Sequence, residues 1–262
     1  MNQTTQHPLL KAVLQGRFDF FRSNSVHSPL PEASFHDMNQ TCIYAWGMDY
    51  VCGNGVMEQD GTRVPTEEEI DQAIQYFSSK HLPFMWWTSA KILETKGFQF
   101  GGNLTGIALD ISQALPPSLQ AAANLEIKIA QTEAEVKALT DLASDVFAMS
   151  MKTSQQWPLL NNAVRIQGEQ IHFIAYLNGV PVGSATLCIS PTSAGIWNLA
   201  TASEHRKQGI GFALVHAALV EAKKRHYNEV MAILLPEGLA WSGAMKLGFT
   251  EVCKFPFYMY GL

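Results

Sequence analysis

Charge is scarce in this chain. Asp, Glu, Lys and Arg make up 16% of its 262 residues, and the formal net charge is -5. The one dense basic run, Lys223-Lys224-Arg225, is too short for a nucleic-acid footprint. Cations of that kind suit the C-terminal end of a helix. Cysteine is sparse too. Cys42, Cys52, Cys188 and Cys253 stand far apart with no Cys-x-x-Cys pair, which argues against a disulfide framework in a chain this long and apolar. The eight histidines include no His-Glu-x-x-His and no cluster with cysteine, so no metal site is expected. No uninterrupted apolar run reaches transmembrane length, and no basic-then-apolar leader is present. The expectation is a cytoplasmic protein with no membrane and no nucleic-acid partner. Neither a Walker loop nor the three-glycine dinucleotide fingerprint occurs.

What the chain has in quantity is apolar residues, 47% of the total, ample for a substantial core. Its most informative stretch is 196–225. Strand-like sequence from Ile196 to Thr201 runs into the bend HRKQGIG, His205 to Gly211, and a long apolar helix follows. Gly209 and Gly211 let the chain curl and let a ligand approach the backbone. The first turn of a helix carries amide hydrogens with no intrahelical partner, and the helix dipole adds to their pull on anions. Arg206 and Lys207 add two cations at the mouth. A diphosphate suits this bend better than a neutral ligand; the alternative is an ordinary polar loop that starts a helix.

Arg206-Lys207-Gln208-Gly209-Ile210-Gly211 resembles the Arg/Gln-x-x-Gly-x-Gly/Ala signature of the GCN5-related N-acetyltransferases. Further on, Lys246-Leu247-Gly248-Phe249 resembles the end of that family's Leu-Tyr-x-Lys-Leu-Gly-Phe helix. The resemblance implies an α/β (mixed-sheet α+β) acyl-CoA N-acyltransferase fold, with acetyl-CoA as cofactor. It implies an N-acetyltransferase in which a primary amine attacks the thioester directly, in a ternary complex. Residues carried over as cofactor-binding are Leu199, Ala200 and Thr201 for the pantetheine arm. Arg206, Lys207, Gln208, Gly209, Ile210, Gly211 and Phe212 follow for the pyrophosphate.

The sequence departs from the family at several points. Ala244 stands where the family often has a Tyr placed to protonate the leaving thiolate, and Gly243 replaces the preceding Leu. Glu237 stands in place of a frequent Asn, and Thr201 and Ser203 replace the usual Val and Pro. Cys253, Tyr258 and Tyr260 are candidate substitutes for the missing donor. No general base is identified: Glu169, Glu204 and Glu237 are candidates, and His172 and Tyr176 are placed to face an acceptor groove. Five tryptophans, Trp86, Trp87, Trp157, Trp197 and Trp241, are available either to line such a groove or to fill the core. Two other readings stay open, a non-catalytic acyl-CoA-binding or protein-interaction module and an acyltransferase for longer chains. The acceptor is expected to be a small-molecule or peptide amine, and the protein a monomer or homodimer.

Periodicity and turn chemistry place the remaining elements. Helices are expected at 9–21, 66–80, 90–96, 132–146, 210–225 and 239–246, with a short one in 149–162 that ends before Pro158. Strands are expected at 41–46, 55–58, 83–87, 125–129, 170–177, 180–189, 196–201 and 230–235, with 164–166 as a short strand or the approach to one. Residues 100–111 and 249–260 read as bent strands or strand pairs. Asn178-Gly179 reads as a hairpin turn, and residues 23–39 as irregular. Pro116-Pro117 marks 112–123 as the linker. From residue 124 on, the order β-α-α-β-β-β-α-β-α-β is similar to the acetyltransferase fold. The first half reads as a worn copy that ends in the same helix, strand, short helix and strands. Two domains follow: 1–120, degenerate and without a pyrophosphate loop, and 121–262, which binds acetyl-CoA. The other reading is two unrelated pieces that end alike because Gly commonly stops a helix.

Overall fold

Each half of the chain assembles the same kinds of element. The computed structural model describes residues 7–38, 41–58, 63–118, 122–236 and 238–261. In the first half, helix α1 (Leu10–His27) leads to strands β1 (Ser34–Asp37), β2 (Thr41–Ala45) and β3 (Asn54–Glu58). Helix α2 (Glu67–Ser79), strand β4 (Phe84–Trp87), short helix α3 (Ile92–Thr95) and strand β5 (Gln99–Asp110) follow. The second half opens with β6 (Leu125–Ile129), α4 (Glu133–Val146), α5 (Met151–Ile166), β7 (Gln170–Leu177), β8 (Val180–Ile189) and β9 (Ala194–Thr201). It closes with α6 (Ile210–Lys224), β10 (Glu229–Leu234), α7 (Leu239–Lys246) and β11 (Thr250–Tyr260). Thr66 and Thr132 start α2 and α4 as full capping boxes with Glu69 and Glu135, as the Thr-x-x-Glu spacing requires. Asn178 and Gly179 both take positive φ in the β7–β8 turn.

The eleven strands among the described residues form one sheet, in the order β1-β2-β3-β4-β11-β5-β10-β9-β8-β7-β6. The two halves are interlocked at its centre. β5, the last strand of the first half, pairs with β10 of the second, and β11 pairs with β4 of the first. β5 and β11 then pair with each other along nearly their whole length. Each half therefore completes the other's sheet. β3 runs parallel to β4 and β9 parallel to β10, so the pattern repeats on either side of the β5–β11 pair.

One face of the sheet carries α1, α4 and α5 over a core that includes Val13, Phe20, Phe21, Trp46, Trp87, Trp157 and Met231. The other face carries α6 and α7 over Ile107, Ile196, Leu214 and Val230. On that same face α2 and α3 cover Val56, Ile70, Phe77 and Trp86. Burying both faces is what lets so wide a sheet exist with strands of this length.

Of the alternatives left open, residues 99–110 form one strand, and 250–260 another with local bulges. Two glycines of β5 serve clearance: a β-carbon on Gly101 would collide with Phe257 Cε2, and one on Gly106 would stand 2.5 Å from Val13 Cγ1 of α1. Four other expectations are corrected. Helix α5 runs straight through Pro158, because Trp157, Leu160 and Val164 bury its inner stripe and outweigh one missing backbone bond. Residues 164–166 end that helix. Finally, α1 extends to His27, and β1 lies in the span read as irregular.

Candidate active site

The parallel neighbours β9 and β10 stay together for only two register pairs, Gly195 with Met231 and Ile196 with Ala232. Beyond them the strands part, and β10 stays with β5 as far as Leu234. On its other side β9 carries a bulge: Thr186 pairs with Trp197 and Ser184 with Ala200, so Asn198 and Leu199 together oppose Ala185. Asn198 takes φ +52°, a left-handed conformation that Asn tolerates better than most residues. The bulge kinks β9 away from β10. A wedge opens between them, and the peptide groups of 197–201 on its edge have no ladder partner across it.

The cradle continues from the end of this edge. After Thr201 a single 3-10 turn, Ser203–His205, brings the chain to Arg206. Lys207 at φ +63° and Gly209 at φ +78° turn it sharply into α6. Gly209 is the N-cap, and no side chain caps the helix, so the amides of Ile210, Gly211 and Phe212 are left to an external acceptor. Ile210 is buried and anchors the turn. Gly183 of β8 admits it: a β-carbon there would stand 3.0 Å from both Ile210 Cγ2 and Leu214 Cδ1. Above Gly211 there is room, the nearest neighbour of a β-carbon being Thr201 Oγ1 at 3.8 Å.

Arg206, Lys207 and Gln208 are exposed at the mouth. The Arg206 Nε–H reaches back to Thr201 O at 3.3 Å, and Gln208 O accepts from Ala122 N at 3.0 Å. Leu199, Ala200 and Thr201 are thus contiguous with the Arg206–Phe212 turn. Phe212 supplies an amide, while its ring packs 3.5 Å from where a β-carbon on Gly243 would sit. A phosphate-bearing cofactor fits this set: free amides, two cations, and open space over the first turn.

The matching helix of the first half is built differently. Thr66 and Glu69 satisfy each other's amides at the start of α2, and Glu67, Glu68 and Glu69 crowd its first turn. Free donors are scarce there and the local charge is negative, so that terminus does not suit an anion.

The candidate acids and bases are scattered. His172 is wholly buried. Its Nε2–H donates to Asn161 O at 3.0 Å, and Nδ1 accepts from the Thr186 hydroxyl at 3.0 Å. Burial pushes its pKa down to about 4. It is a neutral core residue and faces no groove. Tyr176 packs beside Ala130, Val136, Leu139 and Ile174, near Lys128, away from the wedge. Glu169 pairs with His27 at 3.2 Å, and its carbonyl accepts from Ile189 N, which places it at the opposite end of the β8–β9 ladder from the cradle. Glu204 is exposed beside the cradle and held below the usual carboxylate range, first by its own backbone amide and then by the Ser203 hydroxyl. Glu237 lies outside the described residues.

The substitutes for the missing tyrosine are no nearer. Tyr258 donates to Glu94 Oε1 at 3.0 Å, and Tyr260 packs on Phe84 and Phe98, both over the first half. Cys253 lines a cavity of about 90 Å³ beside Arg17 and Trp87, and burial raises its thiol to about 11. Ala244 packs into the α6–α7 core. Trp86, Trp87 and Trp157 are core residues, and Trp241 packs against the same α6–α7 core. The fifth tryptophan, Trp197, stands at the root of the wedge.

Helix α1 is the element that the sequence pattern did not connect to the site. Asp19 accepts from Ser190 Oγ at 2.6 Å and Ser193 Oγ at 2.5 Å, holding α1 to the turn before β9. Phe20 lies on Trp197. A second cavity, of about 680 Å³, lines the far side of α1 between Lys11, Phe18, Asp37 and Met57 and includes no cradle residue.

Residues 136–249 match the family model of the acetyltransferase (GNAT) family. No curated protein matches the chain. A GCN5-related N-acetyltransferase from Sphaerobacter thermophilus is similar in structure, with a TM-score of 0.65 and 13% identity over 97% of this chain and 94% of that one. Another from Kribbella flavida gives 0.62 and 14% over 93% and 94%. A tandem GNAT protein from the clavulanic acid biosynthesis pathway gives 0.57 and 10% over 95% of each chain. Likeness at such identity speaks for the fold, and it extends over the first half as well as the second. Over nearly its whole length the chain carries the GNAT fold, in tandem.

Proposed function

We propose that the chain is an N-acetyltransferase that moves an acetyl group from acetyl-CoA to a primary amine by direct attack in a ternary complex. The observation that carries this reading is continuity. The unpaired edge of β9 leads without interruption into an uncapped helix start flanked by Arg206 and Lys207. On this reading the backbone of Leu199, Ala200 and Thr201 holds the pantetheine arm, and the turn from Arg206 to Phe212 holds the pyrophosphate. Acetyl-CoA, when bound, supplies an already activated thioester. On this reading a backbone amide of the bulge at Asn198 and Leu199 would serve as a preorganised donor to the thioester carbonyl oxygen. An acceptor amine has a pKa of about 10 and must shed a proton, which on this reading leaves through water.

The acceptor is a small-molecule or peptide amine, and the working division is a first unit at 1–120 and an acetyl-CoA-binding unit at 121–262. The boundary between them falls among the undescribed residues 119–121. All four cysteines are free thiols, which supports a reducing, cytoplasmic setting. Among the described residues no helix is long and apolar enough to cross a membrane. A second reading, an acyl-CoA-binding module without transfer, is favoured by one observation: Ala244 offers no hydroxyl, and Tyr258 and Tyr260 lie over the first half.

Calorimetric titration with acetyl-CoA tests the shared step, run beside an Arg206→Glu, Gly209→Trp double variant. Micromolar binding that the variant loses supports the cradle. Thiol release with a panel of amines then separates the two readings. No binding by the intact chain overturns both.

A further inference from the structure

The wedge between β9 and β10 ends in a floor, and the first half of the chain helps to build it. Trp197 is the first β9 residue past the last register pair with β10. Its indole stacks on Phe20 of α1, with ring centroids 3.9 Å apart and planes within 5°. Behind the indole lie Gly195 and Met231. A β-carbon on Gly195 would stand 2.7 Å from Met231 Sδ and 2.8 Å from Trp197 Nε1. One on Gly16 of α1 would stand 2.6 Å from Met231 Cγ. Phe20 and Met231 are buried, so this region has no room for one more methyl group. The Asp19 bonds to Ser190 and Ser193 hold α1 in this place, and hydrogen bonds to a carboxylate are among the stronger ones.

We infer that this floor restricts the chain to short acyl groups and that Phe20 is a specificity-determining residue, an inference that rests on the acyl-CoA reading above. The free edge of β9 runs from Thr201, beside the cradle, back to Trp197, opposite the three steps from Gly183 to Thr186 of β8, about 10 Å at the rise of a strand. A pantetheine arm held along that edge, with its pyrophosphate end at the cradle, carries its thioester toward the indole. An acetyl group ends there. A chain of eight carbons has to displace the Trp197 ring or Met231, and packing of this density resists added volume. Truncating Phe20 removes the ring behind the indole, so Trp197 gains space to turn aside.

The test is calorimetric titration of the full chain with CoA, acetyl-CoA and octanoyl-CoA. It compares the natural sequence with Phe20→Ala and with the milder Phe20→Leu. The natural chain is expected to bind CoA and acetyl-CoA within threefold of each other, and octanoyl-CoA at least tenfold more weakly. Phe20→Ala is expected to bring octanoyl-CoA within threefold of acetyl-CoA while CoA affinity stays within threefold of the natural value. Phe20→Leu is expected to fall between, and carries the test if the alanine variant does not fold. Octanoyl-CoA binding the natural chain as tightly as acetyl-CoA overturns the inference alone. So does a tenfold gap that persists in a Phe20 variant with intact CoA affinity. Failure of the natural chain to bind even CoA overturns the acyl-CoA reading and this inference with it.

Discussion

Lys223, in the last turn of α6, donates through Nζ to the carbonyl oxygen of Ile111 at 2.6 Å, and to that of Ser112 at the same distance. Ile111 is the first residue beyond β5, and its own amide donates to Asn228 O at 2.7 Å. The chain leaves the exchanged strand at this point and crosses to the second half. A cation placed to favour the helix dipole thus also staples the crossing. Lys223→Met keeps most of the stem and removes the ammonium, leaving two carbonyl oxygens without their charged donor. The expected cost is roughly 2 kcal/mol of stability, read by urea unfolding. CoA affinity is expected to hold within threefold, because the cradle lies at the other end of α6. A loss below about 0.5 kcal/mol would place the contact among ordinary surface interactions.

His172 makes a pH prediction with a definite sign. Its folded pKa is depressed to about 4 from a model-compound value of 6.5, mainly by burial. Above pH 6.5 the residue is neutral in both states and contributes no pH dependence. As pH falls from 6.5 toward 4, the unfolded chain takes up the proton first, and stability drops. The full contribution is roughly 3 kcal/mol. Chemical denaturation from pH 7.5 to pH 4 is expected to show this slope, and a His172→Gln variant to lose most of it. The same slope in the variant would assign the acid sensitivity to other groups.

Local chemistry was legible in the sequence; long-range pairing was not. The cradle could be read because its parts sit in six consecutive residues, from Arg206 to Gly211, and geometry follows from glycine and helix-start rules. The capping boxes at Thr66 and Thr132 were readable for the same reason. The exchange of β5 and β11 was not, since each strand's apolar alternation fits either neighbour. The role of α1 was hidden for a different reason. Its buried surface includes Arg17, Ser23, Asn24 and Ser25 as well as Val13, Phe20 and Phe21, so hydrophobic periodicity alone does not reveal which residues face the sheet. For His172 the strand period put the side chain on a defined face, and only the packing of Asn161 and Thr186 around it decided core over groove.

Asn198 offers the sharpest test of how the wedge is made. Its φ of +52° lies in a region that glycine and asparagine visit at low cost and β-branched residues avoid. If that conformation holds the bulge, Asn198→Gly keeps the wedge and Asn198→Val works against it. Valine prefers an extended backbone, which would bring residues 197–201 back toward regular pairing and remove the free edge. The valine variant is expected to lose about 1–2 kcal/mol of stability and at least tenfold in acetyl-CoA affinity. The glycine variant is expected to bind within threefold of the natural chain. Titration of both variants, alongside thermal unfolding, separates a shaped site from a merely weakened fold. Equal loss of stability with unchanged acetyl-CoA affinity in the valine variant would show that the bulge is incidental to the wedge.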